Sequence, residues 1–143
     1  MIKQIRHTGI VVRDLQRAIR FYEGLGFSLW KRELETGAFL EQVVGITGAK
    51  IETAKLKAAC GSMIELLQYQ SHPIKKSITP QLSNQLGCSH IAFTVDSIEE
   101  TLNSIQKAGG SLVNTPALAP TGQVKVAYCH DHEGNLLELV EEV

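Results

Sequence analysis

The chain has 143 residues, 43% hydrophobic and 20% charged, with a formal net charge of -1 from 14 basic and 15 acidic residues. That is globular composition, which excludes a disordered or fibrous chain. No apolar run approaches the roughly 20 residues of a membrane span. The basic residues are scattered, the densest spot being Lys75-Lys76, so neither a nucleic acid nor a membrane is an expected partner.

In chain order, the opening segment reaches charge at Lys3 and Arg6 too soon for a signal peptide. Residues 5–12 are rich in β-branched and apolar types and predict a strand. Asp14 stands where a helix N-cap is expected. Leu15, Ala18, Ile19 and Tyr22 then recur at helical spacing, with one buried face, until Glu23-Gly24-Leu25-Gly26 ends the helix. Strands are expected at about 27–33, 51–58 and 62–69, the last two joined through Gly61-Ser62. Segment 34–50, with Ala38-Phe-Leu-Glu-Gln-Val-Val, reads as a short helix or an irregular flap near the site. Residues 71–87, with Pro73 and Pro80, read as a linker.

The pattern then repeats. His90 follows His7 by 83 residues, and that offset aligns Val12 with Val95, Asp14 with Ser97, Leu15 with Ile98, Ile19 with Leu102 and Gly26 with Gly109. A strand at 89–96, a helix after Ser97 ending at Gly109-Gly110, and strands at about 111–114, 123–130 and 136–141 complete the second copy. The expected fold class is α+β, a single domain of two βαβββ modules, 1–70 and 88–143, forming a curled, cleft-shaped mixed sheet. Cys60, Cys88 and Cys129 lie too far apart for a CxxC pair, and their odd number fits reduced thiols, so a cytoplasmic protein is expected.

Four ionisable residues fall at matched positions of this repeat. His7 and His90 belong to the two first strands, Glu65 and Glu138 to the two last. Each glutamate is flanked by apolar residues, Ile64 and Leu66 or Leu137 and Leu139, so it lies on the opposite face from its neighbours. A carboxylate turned inward needs a partner or a cation. Singly, each of the four is more often structural or solvated than a ligand; jointly, at equivalent places of a repeat, they read as a mixed N/O site for one divalent Zn, Ni, Co, Mn or Fe ion.

The run His7-Thr-Gly-Ile-Val-Val-Arg-Asp-Leu, continuing through Ala18, Phe21-Tyr22 and Leu25-Gly26-Phe27, resembles the first module of the glyoxalase, bleomycin-resistance and ring-cleaving dioxygenase superfamily. Asp131-His132-Glu133-Gly134-Asn135-Leu-Leu-Glu138 is similar to its closing turn and strand, and the resemblance spans residues 5–141. It implies His7, Glu65, His90 and Glu138 as metal ligands, and Glu138 or Glu65 as the base that moves a proton. The His, Glu, His, Glu order implies a lyase, isomerase or epimerase acting on a small substrate with vicinal oxygens through a metal-stabilised enediolate or enolate. A non-haem Fe(II) dioxygenase and a small-molecule binding or resistance protein without turnover are the alternatives. The resemblance also implies a homodimer, its modules paired within a chain or exchanged between chains. Two departures from bacterial glyoxalase I point away from a glutathione hemithioacetal: Val11 replaces an arginine, and the sequence shortly after Glu65, where an asparagine is usual, reads Leu67-Gln68-Tyr69. His132 replaces a proline, and with His130 it is expected to be a solvent-exposed turn residue rather than part of a second metal site.

Overall fold

The computed structural model describes residues 1–75 and 79–143. Residues 76–78, part of the expected linker and including the second lysine of Lys75-Lys76, lie outside the described residues. The chain divides into two units, residues 1–76 and 77–143.

In the first unit, β1 (Thr8–Val11), α1 (Leu15–Glu23), β2 (Ser28–Thr36), α2 (Ala38–Val44), β3 (Lys50–Lys57) and β4 (Met63–Tyr69) form a four-stranded sheet in the order β1-β4-β3-β2. β1 runs parallel to β4 and the remaining pairs are antiparallel, so the sheet is mixed. Alternation gives the sheet two faces. Ile10, Ala54, Leu56, Ile64 and Leu66 are buried on one face, where α1 packs through Leu15, Ala18, Ile19 and Tyr22. Each large side chain buried there contributes roughly 1.5–3 kcal/mol. The other face carries Gly9, Lys55 and Glu65.

The second unit repeats this plan with β5 (Ile91–Thr94), α3 (Ile98–Lys107), β6 (Ser111–Leu112), β7 (Ala117–Leu118), β8 (Val124–His130) and β9 (Leu136–Glu142). Its order is β5-β9-β8-β6, with β7 also on β8, and β5 is again parallel to β9. Ile98, Leu102 and Ile105 of α3 are buried, as are Ala127, Cys129, Leu137 and Leu139.

The helices start where the sequence predicts. Asp14 accepts a hydrogen bond from Arg17 N at 2.9 Å, and Ser97 accepts one from Glu100 N at 3.2 Å. A second cap comes from the sheet: Gln68 Oε1 accepts from Leu15 N and Glu141 Oε2 from Ile98 N, each at 2.7 Å. After α3, Gly109 takes a φ of 93°, and a Cβ on Gly110 would collide with the His130 carbonyl and the Ile105 side chain.

Several boundaries differ from the sequence reading. β1 and β5 are four residues each rather than eight, because their ladders to β4 and β9 begin only at Thr8 and Ile91. β2 extends to Thr36, since it pairs with β3 along nearly its whole length. The strand expected at 111–114 is shortened to Ser111–Leu112, and β7 is an added strand beyond Pro116, which offers no N–H to a ladder. Segment 34–50 resolves into the end of β2 and the helix α2, whose Leu40 packs on Ala49 and Ile51, with Leu67 and Tyr69 against them. Ile51 and Leu67 share the sheet face of Lys55 and Glu65, so α2 covers that face beside Glu65. Among the described residues, no helix is long and apolar enough to cross a membrane.

Candidate functional site

Each unit places one imidazole against one carboxylate, and the sheet register explains how. In the first unit, Gly9 is the parallel partner of Glu65. His7 precedes Gly9 by two residues, and its Nε2 lies 3.1 Å from Glu65 Oε2. In the second unit, Ala92 is the partner of Glu138, His90 precedes it by two, and Nε2 to Oε2 is 2.9 Å. The residue facing each glutamate is thus the smallest or next smallest side chain, which leaves the space over the carboxylate clear.

The histidines stand one residue before β1 and β5 rather than inside them. His7 and Glu65 keep 29% and 13% side-chain exposure, and His90 and Glu138 keep 30% and 22%. All four are therefore shielded yet reachable. Ser89 Oγ lies 2.7 Å from His90 Nδ1, which fixes the ring with Nε2 turned to Glu138. The Tyr128 ring meets that imidazole edge-on at 5.2 Å.

The donor set fits a divalent ion. Two ligands at right angles, each about 2.1 Å from a metal, stand about 3.0 Å apart, which matches the 3.1 and 2.9 Å pairs. Without an ion, the same contacts serve as Nε2–H···O hydrogen bonds. Within each unit the ligand-type residues meet as a pair, and among the described residues no group of three or more His, Cys, Asp or Glu side chains comes together.

Sequence reasoning missed Lys55. It is the antiparallel partner of Glu65, and its Nζ lies 3.5 Å from Glu65 Oε1. The equivalent partner of Glu138 is Tyr128. The signal was present: Lys55 and Tyr128 each precede their glutamate by ten residues, the spacing of the β3–β4 and β8–β9 hairpins. Gln68 proves to serve the helix through its bond to Leu15 N, not the face of Glu65.

The reading of His130 and His132 as solvent-exposed turn residues is corrected. Both are buried, at 9% and 7% exposure. Gln81 comes down on this turn from the expected linker: its carbonyl lies 2.8 Å from His130 Nε2, and its side chain accepts from Leu136 N at 3.0 Å. Asp131 forms the turn itself, accepting from Glu133 N, Asn135 N and Asn135 Nδ2. Cys129 is no ligand candidate: burial, with Asp131 nearby, pushes its thiol up to about 12, so it stays protonated.

Comparison with known proteins agrees with this frame. Residues 4–139 match the model of the Glyoxalase/Bleomycin resistance protein/Dioxygenase superfamily. The chain is 30% identical over 137 residues to a probable lactoylglutathione lyase of Synechocystis, covering 94% of this chain and 92% of that one. It is 28% identical to the lactoylglutathione lyase of Haemophilus influenzae, with 96% and 92% covered. Among solved structures, a glyoxalase family protein from Bacillus cereus superposes with a TM-score of 0.91 at 28% identity, covering 100% of this chain and 96% of that one. A fosfomycin resistance protein from Listeria monocytogenes shares the fold at a TM-score of 0.66 and 17% identity, with 100% and 96% covered. The chain belongs to the glyoxalase, bleomycin-resistance and dioxygenase superfamily.

Proposed function

We propose that this protein is a metal-dependent lyase or isomerase that moves a proton on a small substrate bearing two adjacent oxygens. The observation that carries the reading is the repeated His–Glu pair, in the same register in both units and at separations of 3.1 and 2.9 Å. His7, Glu65, His90 and Glu138 would hold one divalent ion, of the Zn, Ni, Co, Mn or Fe type. Bound there, the ion supplies Lewis-acid polarisation of the two substrate oxygens.

The protein's own residues do the rest. The imidazoles, neutral when ligating, fix the centre, with Ser89 orienting His90. Glu138 takes the proton from the carbon beside the two oxygens and returns it. Glu65 is the held carboxylate, because both its oxygens face nitrogen, His7 on one side and Lys55 on the other. Glu138 has His90 as its one ion-pair partner among the described residues, which leaves it freer to move. The names of the relatives support lyase chemistry. The reading includes a cytoplasmic homodimer, with unpaired sheet edges as the reason for association.

The test is elemental analysis of protein purified without added chelator or metal, followed by proton exchange in D2O. The panel comprises 2-hydroxyketones and 2-acyl thioesters, neutral and carboxylated, and a glutathione hemithioacetal. One divalent ion per proposed centre and exchange at the carbon beside the oxygens are expected. Oxygen consumption without exchange would replace this reading with a dioxygenase. Absence of any bound metal would leave a binding protein.

A further inference from the structure

The two half-sites share their backbone register and differ in the residue directly across from the glutamate. In the first unit that residue is an ammonium, Lys55; in the second it is a neutral phenol, Tyr128. The difference is not a by-product of the repeat, since the repeat supplies the same position to both.

Lys55 is poorly balanced for a sheet lysine. Its other cross-strand partner is Lys31, so two ammoniums face each other, an arrangement that is unfavourable unless carboxylates or another anion offset it. Lys31 turns to Glu33 at 2.8 Å. Lys55 has Glu65 as its one ion-pair partner among the described residues, at the long distance of 3.5 Å, and its side chain keeps 27% exposure. An ammonium has three donors, and this one stands on the partly exposed sheet face where Glu65 and Gly9 lie.

We infer that Lys55 makes this centre selective for anionic substrates, namely small acids whose carboxylate lies beside the vicinal oxygens. The inference rests on the metal-binding reading above. In that centre the dication and the two carboxylates cancel, and the imidazoles are neutral. Lys55 then leaves one net positive charge, matched by a monoanion. A carboxylate bound to Lys55 also replaces the counter-charge that Glu65 yields when it ligates.

The probe pair is 5-hydroxy-4-oxopentanoate and its primary amide, which offer the same hydroxyketone oxygens with and without a separate carboxylate. Each is titrated calorimetrically into Mn(II)-loaded protein, and Mn(II) uptake is measured separately for every variant. Wild-type protein should bind the acid at least about tenfold more tightly than its amide, the scale of one hydrogen bond to a charged group. Lys55→Met should abolish that preference while binding Mn(II) as tightly or more tightly, since a cation competing for Glu65 is gone. Lys55→Arg should keep the preference. Equal affinities in wild type, or a preference that survives in Lys55→Met, would overturn the inference and leave the metal reading intact. Loss of Mn(II) from Lys55→Met would overturn it too, by showing that the lysine only holds Glu65 in place. Wild-type protein that takes up no Mn(II) would instead sink the metal reading, and this inference with it.

Discussion

The first and second units place a histidine and a glutamate in the same way, but they surround the glutamate differently. Glu65 is clamped between His7 and Lys55, and the α2 helix packs on the same sheet face beside it. Glu138 faces His90, whose ring is braced by Ser89 and Tyr128. A duplicated frame thus fixes two equivalent His–Glu pairs, while the neighbours of each pair surround them differently. Glu65 is held between an imidazole and an ammonium; in the other half it is the imidazole that is held.

The largest test of this asymmetry is to replace each glutamate by glutamine, which can still ligate through its carbonyl but cannot take a proton. Glu138→Gln should retain much of the metal by elemental analysis and lose roughly 100- to 10,000-fold in proton exchange, the usual contribution of a general base. Glu65→Gln should lose much less in exchange. The reverse outcome would swap the roles, and normal exchange in both variants would remove the glutamates from proton transfer.

A smaller test concerns glycines. Gly110→Ala in the second unit forces a Cβ into the His130 carbonyl and Ile105, and should lower unfolding stability by about 1–3 kcal/mol in urea titration. Gly9→Ala in the first unit meets only Leu67 Cδ1 at 3.4 Å and converts the position to the alanine that the second unit already has at 92. Its effect should stay within about 0.5 kcal/mol. An equal loss in both would mean that the faces over Glu65 and Glu138 are not alike. The N-caps should differ least: Asp14→Ala and Ser97→Ala should each cost about 1 kcal/mol, measured the same way, because both cap an N-terminal amide with one side-chain oxygen.

Much of this was legible in the sequence. The 83-residue offset and the alternation around Glu65 and Glu138 located both His–Glu pairs, because strand period and burial together leave a carboxylate only one face. The helix starts at Asp14 and Ser97 were legible because capping is local. What escaped was non-local or context-dependent. His130 meets the carbonyl of Gln81, some fifty residues upstream, a contact that no local pattern announces. β7 exists because the chain resumes pairing after Pro116, which no propensity announces. Lys55 could be found only by counting back across a hairpin whose register had first to be known. The run Leu67-Gln68-Tyr69 read only as lacking an asparagine, whereas alternation turns Gln68 to the helix side, where it caps α1.

The bond that Gln68 and Glu141 make to the first amide of each helix has a use beyond holding the helix. Each acceptor lies three residues past Glu65 or Glu138 on the same strand. The amides of Leu15 and Ile98 are therefore wired mechanically to the strands that carry Glu65 and Glu138. They are two native reporters, one per unit, whose resonances and hydrogen-exchange rates would register strain in either strand without any label being attached. If Glu138 moves during turnover while Glu65 stays, only the Ile98 amide should feel it.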